Sequence, residues 1–304
     1  MYPVSRHTRR RLMLIMALVI LPISSAQAEQ AVIIKAAYFD DGNDKQAVSD
    51  LRERKKNGEA LTEEETAILV AASRTGKIGC DVAGGKENFT NGFITEINGR
   101  EAIITSGHAF IDKADGSAVC DLTKVWYYPN FSFFDKSNGA PTDFERRKVK
   151  TDGKLPLNLE VILGRTNVPT HADFLIFFVS SKEAPLKIDK LPDDSIRGIL
   201  KFSSLLSKDS DVYLIGTEPG FRKGTATAYQ KCSSTNRLDH TVLHNCDTFA
   251  GASSSLVGKM EDGEIKIYGI HKYGDEETYS GDALSTRWNG AVSVTNLRDA
   301  GFIP

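Results

Sequence analysis

The stretch GFITEINGREAIITSG, residues 92–107, decides the fold class of this chain. Two β-forming runs, GFITEI and REAIITSG, flank the dipeptide Asn98-Gly99. An Asn-Gly pair between two such runs is the strongest short signal for a two-residue turn of type I′. The stretch therefore predicts an antiparallel β-hairpin.

Short β-type runs, separated by turn residues, continue from this hairpin toward the C-terminus. Helical periods are limited to SIRGILKFSSLL (195–206) and the C-terminal TNLRDAG (295–301). Many short strands at close spacing favour an all-β barrel or sandwich over an α/β sheet. The runs are KVWYYP (124–129), LEVILG (159–164), DFLIFFV (173–179), DVYLIG (211–216), IKIYGIHKY (265–273) and AVSVTNL (291–297).

The start of the chain has the pattern of an export signal. Residues 1–28 combine an arginine-rich beginning, an apolar run at residues 12–23 and the A-x-A pattern Ala26-Gln27-Ala28. The apolar run is too short to span a bilayer with ease, which disfavours a membrane anchor. We therefore predict a signal peptide at residues 1–28, cleaved after Ala28, and a secreted or periplasmic protein.

The segment between this signal and the hairpin differs from the rest. Residues 29–77 are charge-rich and helical in character, and Thr62 and Glu65 fit a capping box before the run AILVAA. This segment is either a propeptide or an N-terminal extension that packs on the domain. The polar, proline-containing stretch SSKEAPLKIDKLPDDS then separates two halves, which we assign to residues 78–188 and 189–304.

The charge balance limits the partners of the protein. The chain has 38 basic and 40 acidic side chains. Loss of residues 1–28 removes four arginines and no acid, which leaves 34 basic side chains and a net charge of −6. Such a mildly acidic protein has no electrostatic footprint for nucleic acid or anionic lipid. We expect no nucleic-acid partner and no membrane contact in the mature form.

The four cysteines suggest two disulfides, because their number is even and the predicted compartment is oxidising. Four cysteines allow three pairings. The pairing of neighbours, Cys80–Cys120 and Cys232–Cys246, keeps each bridge within one half of the chain and is the one we predict. The sequence contains no CxxC motif and no Cys/His spacing typical of zinc sites, so we expect no metal.

Three segments carry residues suited to nucleophilic chemistry. CDTFAGASSSLVG (246–258) places Ser253 in a tight turn, where the backbone N–H groups of Gly251 and Ser253 can form an oxyanion hole. TSGHAF places His108 after a β-run, and HADFLIF places Asp173 at the start of another. Taken singly, each has a plainer interpretation, as a loop serine, a chance histidine or an aspartate that caps a turn.

Together, the three segments resemble those of trypsin-like serine proteases. Their order is His, Asp, Ser, with intervals of 65 and 80 residues. TSGHAF resembles the T-[AS]-[AG]-H motif of that family, and ADFLIF resembles its D-[IFY]-[AL]-[LIV] motif. CDTFAGASSSLV resembles the D-T-x-x-G-x-S-G-S-P motif of the V8 or glutamyl-endopeptidase branch. The resemblance covers roughly residues 78–304.

This resemblance implies the fold and the activity. The fold would consist of two antiparallel six-stranded β-barrels of the chymotrypsin type, with a short C-terminal helix and an N-terminal, partly helical extension. The activity would be that of a monomeric serine endopeptidase that cleaves a protein or peptide substrate without a cofactor. His108 would take the proton of Ser253, and Asp173 would orient the ring of His108.

The resemblance extends to the specificity pocket. Thr248 and His271 match a threonine and a G-[IV]-H histidine that line the pocket for an acidic P1 side chain in glutamyl endopeptidases. A hydroxyl and an imidazole can bind a carboxylate, above all when the imidazole is protonated. Asp247, six residues before the nucleophile, keeps a basic P1 side chain as the alternative.

The chain departs from the family pattern next to Ser253. Ser254 and Leu256 replace a glycine and a proline, and a serine side chain at position 254 is expected to narrow the site or slow the reaction. Ala252 stands where pancreatic-type proteases have the acid that pairs with a new N-terminus, which argues against activation of that type. These departures support an alternative, a weak or inactive protease homologue that acts as a protein-binding module.

Overall fold

A computed structural model describes most of the chain from residue 45 onward. The signal peptide predicted at residues 1–28, its cleavage site and the boundary predicted at residues 188/189 lie outside the described residues. All described residues belong to one compact unit, Ile34–Pro304. The described ranges are 45–82, 86–129, 149–182, 200–204, 209–219, 225–236, 241–248, 251–273 and 288–304.

The first sheet contains the predicted hairpin and is curled. Its strands are antiparallel, in the order β6-β5-β2-β3-β4-β7. Asn98 and Gly99 have φ angles of 51° and 74°, as a type I′ turn requires at both positions. An antiparallel bridge between Thr151 and Val179 links the residues that follow the two edge strands. The strands are β2 (Thr75–Val82), β3 (Lys86–Ile97), β4 (Arg100–Thr105), β5 (Val125–Pro129), β6 (Val149–Lys150) and β7 (Leu175–Phe178).

The second sheet closes into a six-stranded barrel. Its strands follow the order β9-β10-β13-β12-β11-β8, and β8 also pairs with β9. A short strand near the N-terminus, β1 (Gln46–Ala47), adds to the free side of β9 at Tyr229 and Ala228. The barrel strands are β8 (Asp209–Pro219), β9 (Thr225–Asn236), β10 (Thr241–His244), β11 (Leu256–Glu261), β12 (Glu264–Tyr273) and β13 (Asn289–Ser293).

The helices lie mainly at the two ends of the chain. The two N-terminal helices form the partly helical extension, and the predicted capping box opens the second of them, since Thr62 Oγ1 accepts from Glu65 N and Glu65 Oε2 accepts from Thr62 N. The predicted C-terminal helix is also present. The helices are α1 (Val48–Lys56), α2 (Glu63–Ser73), α3 (Leu159–Ile162) and α4 (Val294–Asp299).

One apolar core joins the two sheets and the N-terminal helices. It combines Ile68 of α2 with Phe93 of β3 and with Ile215 and Leu256 of the second sheet, all at most 2% exposed. Each sheet also has an apolar cluster of its own. Because helix α2 contributes to the shared core, the segment from residue 46 onward is an integral part of this packing.

Both predicted disulfides form. Cys80 of β2 is bonded to Cys120, and Cys232 of β9 is bonded to Cys246, with Cα–Cα distances of 6.3 and 5.2 Å. Each bridge lies within one sheet region, as predicted. In the ranges that the structure describes, no helix is both long and apolar enough to cross a bilayer.

Two secondary-structure predictions were wrong. The run LEVILG forms the one-turn helix α3, because Leu159 and Ile162, three residues apart, face the core while Val161 and Leu163 are exposed. The helix predicted at residues 195–206 is not present in its described part, residues 200–204. There, Leu200 and Phe202 instead form isolated parallel bridges to strands β3 and β12.

Candidate active site

His108 lies on a 3₁₀ turn, Gly107–Phe110, that follows strand β4 of the first sheet. A Cβ atom at Gly107 would lie 2.5 Å from Ile162 Cδ1, so a larger residue before the histidine would require the side chain of Ile162 to move. The side chain of His108 is 17% exposed and remains accessible from solvent.

Asp173 faces this histidine from a buried position directly before strand β7. It follows the 3₁₀ turn Thr170–Ala172, and its side chain is fully buried. Its Oδ1 accepts from the backbone N–H of His108 at 2.7 Å, and its Oδ2 lies 2.7 Å from His108 Nδ1. Burial alone would raise the pKa of Asp173, but the charge and hydrogen bonds of His108 and the charge of Lys272 outweigh it and hold this pKa below its ordinary value.

Ser253 completes the group from the second sheet. It lies on a turn before strand β11, between two residues with positive φ, Gly251 at 93° and Ser254 at 68°. Its Oγ lies 3.3 Å from His108 Nε2 and also 3.3 Å from the backbone oxygen of Lys272. The structure thus brings together the three residues predicted from the sequence, at the junction of the two sheets.

Ser254 does not line the site. Its side chain is fully buried, and its Oγ accepts from Ser106 N at 2.9 Å and from Thr105 Oγ1 at 3.2 Å. Thr90 Oγ1 lies 3.0 Å away on the same side. The expectation that this hydroxyl narrows the site was therefore wrong, because the left-handed backbone at residue 254 turns the side chain into the interface between the sheets.

Asn91 of strand β3 holds the serine turn, and sequence reasoning missed it. Its Nδ2 lies 2.9 Å from Gly251 O, 3.1 Å from Ser253 O and 3.2 Å from Ser255 Oγ. Its Oδ1 accepts from Thr217 N at 3.0 Å. The side chain is 1% exposed, so these contacts replace water almost completely.

Asn158 plays the same structural part at the acid. Its Nδ2 donates to Ala172 O and to Phe174 O, the carbonyls on both sides of Asp173, each at 2.8 Å. Asn158 itself has a positive φ of 70°. The sequence offers a weak signal for it, since asparagine tolerates this left-handed backbone better than most residues do.

Lys272 of strand β12 is a third residue that the sequence did not reveal. Its Nζ donates to Val168 O at 2.8 Å and lies 3.6 Å from Asp173 Oδ2. A second contact joins the same Nζ to Thr170 Oγ1 at 3.3 Å. The available signal was a lysine within a strongly apolar strand, IKIYGIHKY, where a charge is expected only with a partner.

The predicted pocket residue His271 is buried and pairs with another histidine. Its Nδ1 lies 3.1 Å from Nε2 of His244, and the two rings meet edge to face. Burial, followed by the charge of Lys45, lowers the pKa of His244 to about 3. Burial, followed by the charges of His244, Lys45 and His108, holds the pKa of His271 well below its ordinary value. Both rings are therefore neutral near pH 7.

Thr248, the other predicted pocket residue, is 1% exposed. Its Oγ1 is buried and has no hydrogen-bond partner among the described residues. Asp247 accepts from Gln230 Nε2 at 3.1 Å, and its own backbone N–H donates to Gln230 Oε1. Asp247 is thus paired with Gln230 within the protein.

One group of side chains has the composition of a metal site. Ligand atoms of Cys232, His244 and Cys246 lie within 4.8 Å of one another. The two sulfurs are bonded to each other, however, so they are not thiolates that could ligate an ion.

Comparison with solved structures identifies the fold. The chain superposes on a thermostable serine protease, AL20, from an extremophilic microorganism with a TM-score of 0.50 and 9% identity, over 76% of this chain and 95% of that one. This chain has a chymotrypsin-like fold. Two further matches, the protease Anisep from Arthrobacter nicotinovorans and a Glu endopeptidase, have TM-scores of 0.44 and 0.42. Their identities are 17% and 13%, over 73% and 76% of this chain and 90% of each of theirs. No protein-family model and no curated protein matches the sequence.

Proposed function

We propose that the protein is an exported serine endopeptidase with the catalytic residues His108, Asp173 and Ser253. The observation that carries this proposal is the continuous chain of contacts from Asp173 Oδ2 through His108 Nδ1 and Nε2 to Ser253 Oγ, at 2.7 and 3.3 Å. Nucleophile and base lie near hydrogen-bond reach, and a third group orients the base. The chymotrypsin-like fold supports the same conclusion, because it brings His108 and Ser253 from separate sheets to one junction.

The contacts support specific roles in a two-step reaction. A carboxylate at His108 Nδ1 favours the tautomer whose Nε2 is an acceptor facing Ser253 Oγ. His108 would take the Oγ proton while Oγ bonds to the scissile carbonyl carbon, and would then pass that proton to the leaving amine. A water molecule would reverse these steps, giving its proton to His108 and its oxygen to the acyl carbon, and Ser253 would recover its proton.

The oxyanion hole is proposed at the N–H groups of Gly251 and Ser253. Such donors act best when they are held in place before the reaction, because they then need no reorganisation as charge develops. The two carbonyl contacts of Asn91, at Gly251 and Ser253, support a rigid turn at this point.

A preference for acidic P1 side chains is proposed for the pocket of Thr248 and His271. The Thr248 hydroxyl is buried without a partner among the described residues, and a buried unsatisfied hydroxyl costs about 1–3 kcal/mol. A substrate carboxylate would satisfy it. With His244 Nε2 as donor to His271 Nδ1, the ring of His271 carries its proton on Nε2 and can donate to the same carboxylate. A peptide-library profile tests this preference, and cleavage after arginine or aliphatic residues would refute it.

Export is proposed from the signal-like residues 1–28, and the two disulfides are consistent with it because such bonds persist in oxidising compartments. Expression of the full chain with fractionation and N-terminal sequencing tests the proposal. An exported protein that begins after Ala28 is expected, and a protein retained with residues 1–28 intact would contradict it.

A fluorophosphonate probe tests the activity itself. We expect covalent labelling of the wild-type protein at Ser253 and none of the Ser253→Ala variant, because only an activated serine reacts with the probe. The Ser254→Ala variant is a matched control, since it removes a neighbouring hydroxyl that is buried behind the turn. A folded wild-type protein that is not labelled would refute the enzyme and favour the binding-module alternative.

A further inference from the structure

Lys272 contacts both of the turns that meet in the candidate site. Its backbone oxygen accepts from Ser253 Oγ at 3.3 Å. Its side chain extends to the first sheet, where Nζ reaches Val168 O at 2.8 Å, Thr170 Oγ1 at 3.3 Å and Asp173 Oδ2 at 3.6 Å. This side chain is only 14% exposed. One residue of the second sheet therefore links the nucleophile with the turn that carries the acid.

We propose that Lys272 is a positioning residue of the triad, a cationic side chain that balances the Asp173 carboxylate and sets how firmly His108 holds a proton. The proposal rests on the proposed function, because it concerns the activation of Ser253 by His108. It adds a fourth charged group to the three predicted from the sequence.

The electrostatic reason is that Asp173 is fully buried, and a buried carboxylate is stable only when it is paired. While His108 is neutral, it supplies hydrogen bonds to Asp173 but no positive charge. Without Lys272, the Asp173 carboxylate would be stabilised mainly by the positive charge of a protonated His108. His108 would therefore bind a proton more readily in the absence of substrate. With Lys272 Nζ at 3.6 Å from Asp173 Oδ2, part of that positive charge is already present, so the carboxylate is stabilised less by protonation of His108.

The other titratable groups around this cluster do not replace Lys272 in that role. His271 and His244, on strands β12 and β10, are buried, and burial keeps both neutral near pH 7. His171, on the turn before Asp173, is exposed to solvent. Lys45 acts on the buried histidine pair. In the described part of the chain, Lys272 is the lysine that forms an ion pair with Asp173.

The geometric reason is that the ammonium has fixed anchors. Val168 O and Thr170 Oγ1 both belong to the segment that leads into Asp173, so the bonds from Nζ also fix the distance between this segment and strand β12. Because two oxygen acceptors hold the ammonium group, the side chain loses its conformational entropy on folding, before any substrate binds. Its charge then stays at one position.

The test is the pH dependence of fluorophosphonate labelling of the full chain. Lys272→Gln keeps a polar side chain with an N–H donor and removes the charge, whereas Lys272→Arg keeps the charge. We expect the acid limb of the labelling rate to move to higher pH by about half a unit to one unit in Lys272→Gln, since loss of a nearby cation favours the protonated imidazole. Lys272→Arg should stay near the wild-type midpoint. Lys124→Met, which removes an 80% exposed lysine, serves as the control and should not shift it.

The outcomes separate this proposal from the function on which it rests. A wild-type protein that is not labelled at Ser253 refutes the triad itself. A labelled wild type together with a folded Lys272→Gln variant whose acid limb is unchanged refutes only the role of Lys272. If Lys272→Gln loses its fold, Lys272→Met and Lys272→Arg provide the same neutral-against-charged comparison, and equal midpoints in those two variants would overturn the proposal.

Discussion

The turn that carries Asp173 and the turn that carries Ser253 are each held by the amide of a buried asparagine. The two asparagines lie at different distances along the chain from the turns that they hold. At the acid, Asn158 Nδ2 donates to Ala172 O and Phe174 O, which lie 14 and 16 residues away. Asparagine and aspartate belong to one segment of the first sheet region. The asparagine that holds the acid turn therefore comes from its own neighbourhood, and Lys272 of the second sheet adds a contact to this turn.

At the nucleophile, the holding residue comes from the other sheet. Asn91 Nδ2 reaches Gly251 O and Ser253 O across 160 and 162 residues of sequence. The serine turn thus takes its final shape only when the two sheets pack together, whereas the asparagine that holds the Asp173 turn belongs to the same sheet region as that turn. The comparison predicts that changes at the sheet junction affect the nucleophile more than the acid.

The largest effect is expected from the acid itself. Asp173→Asn preserves size but presents an amide to His108 Nδ1, which favours the tautomer with its proton on Nε2, where it cannot serve as a base toward Ser253. We expect kcat to fall about 10⁴-fold with the fold intact. Peptide turnover and thermal unfolding measure the two quantities. Asp152→Asn, at a carboxylate that pairs with Arg100, is the control and should keep wild-type turnover.

A smaller effect is expected when the serine turn loses its contacts with the side chain of Asn91. Asn91→Ala removes the donor to Gly251 O and Ser253 O and leaves Thr217 N without its side-chain acceptor. We expect kcat to fall about 10- to 100-fold with KM nearly unchanged, because the oxyanion donors lose their preorganisation. The free energy of unfolding should fall by about 1–3 kcal/mol.

The control for this variant is Asn245→Ala, which removes an asparagine side chain that accepts from Ser233 N. It should cost some stability but leave kcat unchanged. If both variants lowered kcat to the same extent, the effect of Asn91→Ala would be a general loss of stability in the second sheet. The proposed role of Asn91 in holding the serine turn would then be refuted.

The equivalent change at the acid should cost less activity. Asn158→Gly suits the φ of 70° at that position and removes only the amide that holds Ala172 O and Phe174 O. Because Asp173 keeps two hydrogen bonds to His108, we expect a loss of kcat of less than about 10-fold. Steady-state kinetics beside Asn91→Ala measures the difference, and a larger loss in Asn158→Gly would reverse the comparison.

The parts of the molecule that the sequence predicted correctly are those with local causes. The I′ turn at Asn98-Gly99 depends on two residues with positive φ, and the capping box depends on a pair three residues apart. The strand prediction for LEVILG was wrong because a short apolar run can bury its large residues in two ways. A strand buries alternate residues, whereas a helix buries residues three apart. Only the core around Leu159 and Ile162 decides between them.

The candidate site divides in the same way. His108 and Asp173 stand at strand ends, and local motifs mark them. Asn91 and Lys272 act through contacts across more than 100 residues, at 160 from Asn91 to Gly251 and 104 from Lys272 to Val168. No local pattern distinguishes such an asparagine from an ordinary strand residue, so Asn91 could not be found from the sequence. For Lys272 the signal was limited to a lysine in an apolar strand, which does not indicate its partner.

The smallest effect is expected at Ser254, the departure from the family pattern closest to the nucleophile. Ser254→Gly relieves a left-handed backbone that costs an L-residue roughly 1–2 kcal/mol. It also removes the acceptor of Ser106 N and Thr105 Oγ1, of which the Ser106 N–H is the greater loss because Thr105 Oγ1 also donates to Asn91 O. Because these terms oppose each other, we expect stability to change by less than about 1 kcal/mol.

Turnover of Ser254→Gly should also stay within a few-fold of wild type, because the serine hydroxyl is buried between the sheets and not beside the substrate. Kinetics with a peptide substrate and thermal unfolding of the same preparation measure both expectations. A tenfold gain in kcat would mean that the contacts of Ser254 hold the turn in a less productive shape. In that case the junction between the sheets would restrain the nucleophile as well as position it, and Asn91 would have to be weighed against Ser254 in setting the rate.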